Sequence, residues 1–357
     1  MILFSAIKSN FGAGEVVPLS PLQDSRKTNP EMIKPSDIWQ NLPLTEVKFK
    51  DFALEVYQFQ IAHNNVYAQW CDLLGKTDEN INKVENIPFL PISLFKTHKV
   101  SAFDSHELIF SSSGTSGSEK SQHYIYQERD YVESFTRGFH HYFHGQNFEY
   151  LAALLPSYLD RTGSGLIHMV QNLMKNEIGE GKFYNRDFNS LISDLELLTK
   201  NKKRVLLFGV TFGLLELSKI TNNINWNFVE IVETGGMKGH GKEQVRSELY
   251  TLLRNAFPGI HIHSEYGMTE LCSQAYATEN GWFKCPSWMC VMIQDPSDPS
   301  TFLEAGKTGR ICIIDLMNYH SCAFIATDDL GKMNKNGEFE VMGRLDYADI
   351  RGCNQLL

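Results

Sequence analysis

Residues 110–121 read FSSSGTSGSEKS, directly after the apolar pair Leu108-Ile109. Six serines, one threonine, two glycines and one lysine share these twelve positions. Such a loop suits anionic oxygens. Glycines let backbone N–H groups converge, hydroxyls add donors, and the lysine adds a positive charge. Ser112, Ser113, Gly114, Thr115, Ser116, Gly117 and Lys120 are therefore read as gripping the phosphates of a nucleotide. A Walker-type loop would fit Gly114, Lys120 and Ser121, but Glu119 stands where its second glycine belongs and would turn a carboxylate toward the phosphates. A Ser/Gly-rich linker is the other reading of the same composition.

Outward from this loop, the chain has the composition of an ordinary globular protein. Its 357 residues are 42% hydrophobic and 21% charged, long enough for a large core or two subdomains. A net charge of −9 with scattered lysines and arginines excludes nucleic acid as a main partner. No apolar run is long enough for a transmembrane helix, and the N-terminus lacks the layout of a signal peptide. Seven cysteines with no CxxC pair imply free thiols in a reducing cytoplasm. Cys285 and Cys290 lack the second pair that a zinc site of that spacing needs.

Three regions are expected. Residues 1–100 read as mostly helical, with helical spacing over 49–74 and an extended apolar segment near 88–96. Residues 101–280 read as an α/β nucleotide-binding core. Buried strands are predicted at 150–155, 204–210, 228–234 and 260–263, with helices at 165–174, 211–220 and 241–257. That alternation predicts a mainly parallel sheet flanked by helices, with ligands at the carboxyl ends of the strands. The loops at 111–120, 234–239 and 265–270 are expected there. Residues 281–357 read as a small β-rich subdomain with a C-terminal tail.

Four further strings carry chemistry. Gly235 and Gly236 follow a strand and would let a ring lie against bare backbone. In SEYGMTE, Tyr266 offers a flat face, Gly267 a close approach, Thr269 a hydroxyl and Glu270 a hard oxygen for Mg²⁺. Asp329 in TDDLG can accept both ribose hydroxyls. GRLDYADIRGC, at 343–353, contains Arg344 and ends on Cys353. Each string alone is also an ordinary turn. His261 and His263, alternate residues of one strand, read as packed or surface histidines.

Taken in this order, the strings resemble the adenylate-forming superfamily. The closer resemblance is to the acyl-protein synthetases of the bioluminescence fatty-acid reductase system. It rests on IPFLPISLFKTHKV, SSGTSG, ETGGMKG, EYGMTELCSQAY and DIRGCN, and spans about residues 85–357. Phenylacetate–CoA ligase is a more distant likeness. The ribose motif departs from the family pattern, with Asp328 in place of the usual glycine. Most superfamily members continue into a C-terminal lid with a catalytic lysine. Only Asn354–Leu357 follow Cys353, so the lid is expected to be absent and another cation to serve.

The resemblance implies ATP and Mg²⁺ as cofactors and a carboxylic acid of the fatty type as substrate. The acid would be activated as an acyl-adenylate by Lys120, Thr269 and Glu270. The acyl group would then pass to the thiol of Cys353, with Arg351 or Lys238 lowering its pKa, and on to a partner such as a reductase or carrier. The alternatives are an acyl-CoA ligase and a non-catalytic nucleotide-binding relative.

Overall fold

The computed structural model describes residues 34–76, 81–112, 119–155, 163–221, 226–235, 246–278 and 280–345. Ser113, Gly114, Thr115, Ser116, Gly117, Gly236, Lys238, Arg351 and Cys353 lie outside the described residues.

The chain opens with helices α1 (Pro35–Trp39), α2 (Glu46–His63) and α3 (Asn65–Leu73). The helical run expected over 49–74 is thus two helices. Asn64 adopts an extended conformation and its side chain caps Tyr67 N at 3.1 Å, the short-amide capping that ends one helix and starts another. Strand β1 (Leu90–Pro91) and the short helix α4 (Leu94–Thr97) follow, then β2 (Leu108–Ser111), β3 (Gln122–Ile125) and α5 (Glu128–Tyr142).

Next come β4 (Tyr150–Leu154), α6 (Gly165–Asn172), β5 (Gly181–Phe183), α7 (Phe188–Lys200), β6 (Val205–Val210), α8 (Thr211–Ile220), β7 (Val229–Thr234), α9 (Arg246–Ala256) and β8 (His261–Tyr266). Strands β4, β6 and β7 are buried at every residue, as the continuous apolar runs require when both faces of a sheet are covered. Their residues alternate between two cores. Tyr150, Ala152, Leu154, Val205, Leu207, Val229 and Ile231 pack with Leu191, Leu195, Leu214, Leu217 and Leu253 of α7, α8 and α9. Leu151, Ala153, Leu206, Phe208 and Val232 face the larger core, which includes Tyr131, Phe135 and Phe139 at helical spacing on α5.

The remaining strands are β9 (Ala275–Ala277), β10 (Phe283–Lys284), β11 (Met289–Gln294), β12 (Thr308–Asp315), β13 (Phe324–Met333) and β14 (Phe339–Arg344). They are hydrogen-bonded into the same sheet, in the order β11-β12-β13-β14-β10-β9-β8-β7-β6-β4-β5, with β1 beside β13. Strands β5, β4, β6, β7 and β8 are parallel, whereas β8 and its next neighbour β9 are antiparallel. The sheet changes character at β8. The expected α/β class, with a mainly parallel sheet flanked by helices and a β-rich C-terminal portion, is borne out.

One expectation is corrected. The loop at 111–120 does not begin at a carboxyl end of the parallel sheet. Strands β2 and β3 form their own two-stranded antiparallel sheet, with Ser111 opposite Gln122. Four-residue strands with few apolar positions give little periodicity to read. No helix among the described residues is long and apolar enough to cross a membrane.

Buried amides tie the helical N-terminal part to the sheet. Gln60 Nε2 donates to Asn318 O at 3.0 Å and Tyr319 O at 2.9 Å, and its Oε1 accepts from Ala323 N at 3.1 Å. Asn64 Nδ2 donates to Ser321 O at 2.7 Å. These bonds satisfy backbone groups of the buried 316–323 connection, which otherwise would cost about 1–3 kcal/mol each.

Candidate active site

The last residue of β8, Tyr266, stands where the sheet changes from parallel to antiparallel. Its hydroxyl donates to Asp329 Oδ2 at 2.8 Å. Asp329 is paired in register with Arg344 on β14, and the Arg344 Nε lies 3.4 Å from Asp329 Oδ1. The Thr327 hydroxyl fixes the backbone of β13 here, accepting from Asp329 N at 3.1 Å and donating to Ile311 O at 2.8 Å. Burial pushes the Asp329 carboxyl above its ordinary range, while Tyr266 and Arg344 pull it back. Three residues from separate sequence strings thus meet at one carboxylate.

Gly235 lies just beyond Thr234, which is opposite Glu265 in the β7–β8 register. A Cβ at Gly235 would meet nothing within 4 Å among the described residues. Gly267 is the reverse. A Cβ there would collide with Glu265 Oε1 and press on Gln274 Cγ at 3.3 Å. A side chain at this position would require the buried Glu265 carboxylate to shift.

Glu270 is 5% exposed. Burial pushes its carboxyl above the ordinary 4.5, and the Ser121 hydroxyl, Lys96 and Arg344 act against that shift. Ser121 closes the base of the hairpin that carries the Ser/Gly loop. Its N donates to Ser112 Oγ at 3.0 Å, and its carbonyl accepts from Ser112 N at 3.0 Å. The described ends of the Ser/Gly loop are therefore placed against the EYGMTE turn. Lys120, the residue before Ser121, is exposed, and Thr269 is half-buried.

Four residues near this corner were not singled out in the sequence. Lys96 lies on α4, inside an apolar string that gave no sign of a cation's role. Ser121 looked like one more loop hydroxyl. His123 and Asn318 are fully buried. The His123 ring bonds to Thr269 O at 2.8 Å, and Asn318 Nδ2 donates to Glu270 O at 2.7 Å. No spacing rule marks a histidine and an asparagine 195 residues apart. His261 is exposed and His263 half-buried. His263 bonds Glu230 at 3.1 Å and the Tyr142 hydroxyl at 3.0 Å, away from the carboxyl edge.

Replacing Lys120 with alanine removes an exposed charge and no packing. On the nucleotide reading of the loop, the melting temperature of Lys120→Ala should stay at the wild-type value while the KM for the nucleotide rises or turnover falls. A collapsed melting temperature with full activity per folded molecule would make this lysine structural.

Behind the same turn lies a cavity of about 350 Å³, lined by Gly138, Tyr142, Phe143, His263, Gln274 and Tyr276 among others. The Gln274 Oε1 is buried and has no hydrogen-bond partner among the described residues. The volume is at the lower end of the range for small-molecule sites.

The geometry can be set beside known proteins. The family model "Acyl-protein synthetase, LuxE" matches residues 43–141. The long-chain-fatty-acid–luciferin-component ligase of Aliivibrio fischeri is 23% identical over 351 residues, covering 90% of each chain. Among solved structures, 2-hydroxyisobutyryl-CoA ligase in the postadenylation state aligns with a TM-score of 0.65 at 11% identity, over 84% of this chain and 68% of its own. An ATP-bound RpMatB-BxBclM chimera aligns with a TM-score of 0.51 at 16% identity, over 66% of this chain and 47% of its own. The resemblance read from the sequence strings agrees with these matches: the chain is similar to the acyl-protein synthetases and shares its fold with 2-hydroxyisobutyryl-CoA ligase.

Proposed function

We propose that the protein activates a carboxylic acid of the fatty type with ATP and Mg²⁺ and passes the acyl group to the thiol of Cys353. From there it goes to an acyl-accepting protein such as a reductase or carrier. The observation that carries this reading is the meeting of Tyr266, Asp329, Arg344 and Glu270 where the parallel strands end, with the base of the Ser/Gly loop against Glu270.

In the first step a carboxylate oxygen of the acid attacks the α-phosphorus of ATP and pyrophosphate leaves. The chain's task is to align two anions and offset their repulsion. Asp329 and Tyr266 would hold the ribose, Gly235 and Gly236 would border the base, and Ser112 through Lys120 would grip the departing phosphates. Glu270 fits a hard divalent cation, being a buried carboxylate short of compensating charge. When bound, Mg²⁺ supplies positive charge to the phosphate oxygens. Lys96 and Arg344, which already act on Glu270, are the described cations placed to share that work.

In the second step a thiolate attacks the acyl carbonyl and AMP leaves with the bonding electron pair. Burial is the chief cause that pushes five of the six described thiols upward: Cys290 to about 11, Cys312 to about 12, and Cys272, Cys285 and Cys322 upward as well, while the sixth, Cys71, is buried. None of these five is a ready nucleophile at neutral pH. That supports the terminal Cys353 as acceptor.

The same cavity is assigned to the tail of the acid, which would lie along Tyr142, Phe143 and Tyr276, opposite a polar wall that includes His141, His144, Gln146 and Lys284. Gly138 lines it from α5, and a Cβ added there meets nothing within 4 Å among the described residues. Gly138→Leu should therefore fill the cavity and, as a better helix former, preserve stability or improve it. The KM for long acids should rise at least about tenfold, the scale of a few lost methylene contacts, with little change for short acids. An unaltered chain-length profile would place the tail elsewhere.

The reading as a whole is tested by incubating the protein with ATP, Mg²⁺ and a panel of carboxylic acids. AMP release and an acyl mass adduct on the chain are expected. Acyl-CoA formation on adding CoA, without an adduct, would favour a CoA ligase. Neither product would leave a nucleotide-binding protein without this activity.

A further inference from the structure

His123, Cys272 and His320 are each at most 1% exposed, and one ligand atom from each lies within 4.8 Å of the other two. The Cys272 Sγ is 4.0 Å from His320 Nε2 and 3.6 Å from Asn318 Oδ1, and His123 Nε2 is 2.9 Å from that same Oδ1. Four donors, from a strand, a turn and the 316–320 connection, converge on one point.

The hydrogen bonds around them do not close without a cation. Asn318 Nδ2 donates to Glu270 O at 2.7 Å, which fixes the amide and leaves its Oδ1 facing His123. At its other nitrogen His123 faces a second acceptor, Thr269 O, at 2.8 Å. A neutral imidazole carries one N–H and cannot serve two oxygens. Either tautomer sets two lone pairs against each other at hydrogen-bonding distance. A cation held between the rings would answer this, and the near-parallel ring of His320 lies 5.6 Å away.

We propose that His123, Cys272 and His320, with the Asn318 side-chain oxygen, form a four-coordinate zinc site. Two imidazoles, a thiolate and an amide oxygen are a borderline-soft donor set suited to Zn²⁺. Bond lengths of about 2.0–2.3 Å put the ligands of a tetrahedral ion about 3.3–3.8 Å apart, close to the separations present here. His123 Nδ1–H donating to a backbone carbonyl is the usual support for a histidine that binds metal through Nε2. Asp315, fully buried, sets the cysteine by accepting from Cys272 N and Ser273 N, both at 2.9 Å, and from Met317 N at 3.2 Å. On binding, the thiol of Cys272 gives up its proton to solvent and its sulfur lone pair to the metal. The ion would tie the phosphate-loop hairpin and the 316–320 connection to the backbone of Thr269 and Glu270.

The full-length protein, grown with zinc and desalted, should contain about one zinc per chain by mass spectrometry. Cys272→Ser and His320→Asn should lose most of it, while Cys322→Ser, another buried cysteine, should keep it. Protein grown with cobalt should show a thiolate-to-cobalt absorption band that Cys272→Ser abolishes. Folded wild-type protein that holds neither metal would overturn the proposal, as would equal metal loss in Cys322→Ser.

Discussion

Glu270→Gln should lower acid-dependent pyrophosphate exchange at least about 100-fold, the scale at which one preorganised charge-stabilising group is lost. It should do so without destabilising the fold. The carboxyl is buried and its pKa is raised from 4.5, chiefly by desolvation. A group whose folded pKa is raised prefers to be protonated in the native state. Its ionisation costs the fold nothing below the unfolded value near 4.5, and the cost grows as pH rises through the folded value. An uncharged glutamine escapes that cost. The variant should melt at or above the wild-type temperature at pH 7 to 8, with the gain shrinking toward pH 5. Inactivity with raised stability marks a carboxylate kept for function at the expense of stability. Unchanged exchange would remove Glu270 from the site.

Cys353→Ser should abolish the hydroxylamine-sensitive acyl adduct entirely and leave pyrophosphate exchange standing. The two steps use different residues, so the first survives loss of the second. A serine hydroxyl is a far weaker nucleophile at neutral pH, and any ester it formed would resist mild hydroxylamine. Retention of the thioester would move the acceptor to another of the seven cysteines. Four of the six described cysteines are buried, so at those positions that result would also demand a local opening of the core.

The parallel half of the sheet was legible because strands buried on both faces must be continuously apolar, as YLAAL and VLLFGV are. Tyr266 and Asp329 were legible as motif residues, and the structure brings them to 2.8 Å. The hairpin that carries the Ser/Gly loop was not, because QHYI is short and half polar. Asn64 hid a helix break inside an unbroken apolar period. His123 and Asn318 escaped for a more general reason. Buried polar residues are justified by their partners, and a partner distant in sequence leaves no local pattern.

The change of strand direction at β8 runs through the middle of the site. Tyr266 and Glu270 hang from the strand that closes the parallel half. Asp329 and Arg344 belong to the antiparallel half, reached through β9, β10 and β14. Under the proposed reading, each task draws on both halves: Tyr266 and Asp329 reach the sugar from opposite sides of the seam, and Glu270 and Arg344 reach the phosphates likewise. Nucleotide choice and phosphate chemistry then cannot drift apart by substitution in one half alone. A change that shifts β8 against β14 would disturb both at once, which makes the seam itself the feature that selection must hold.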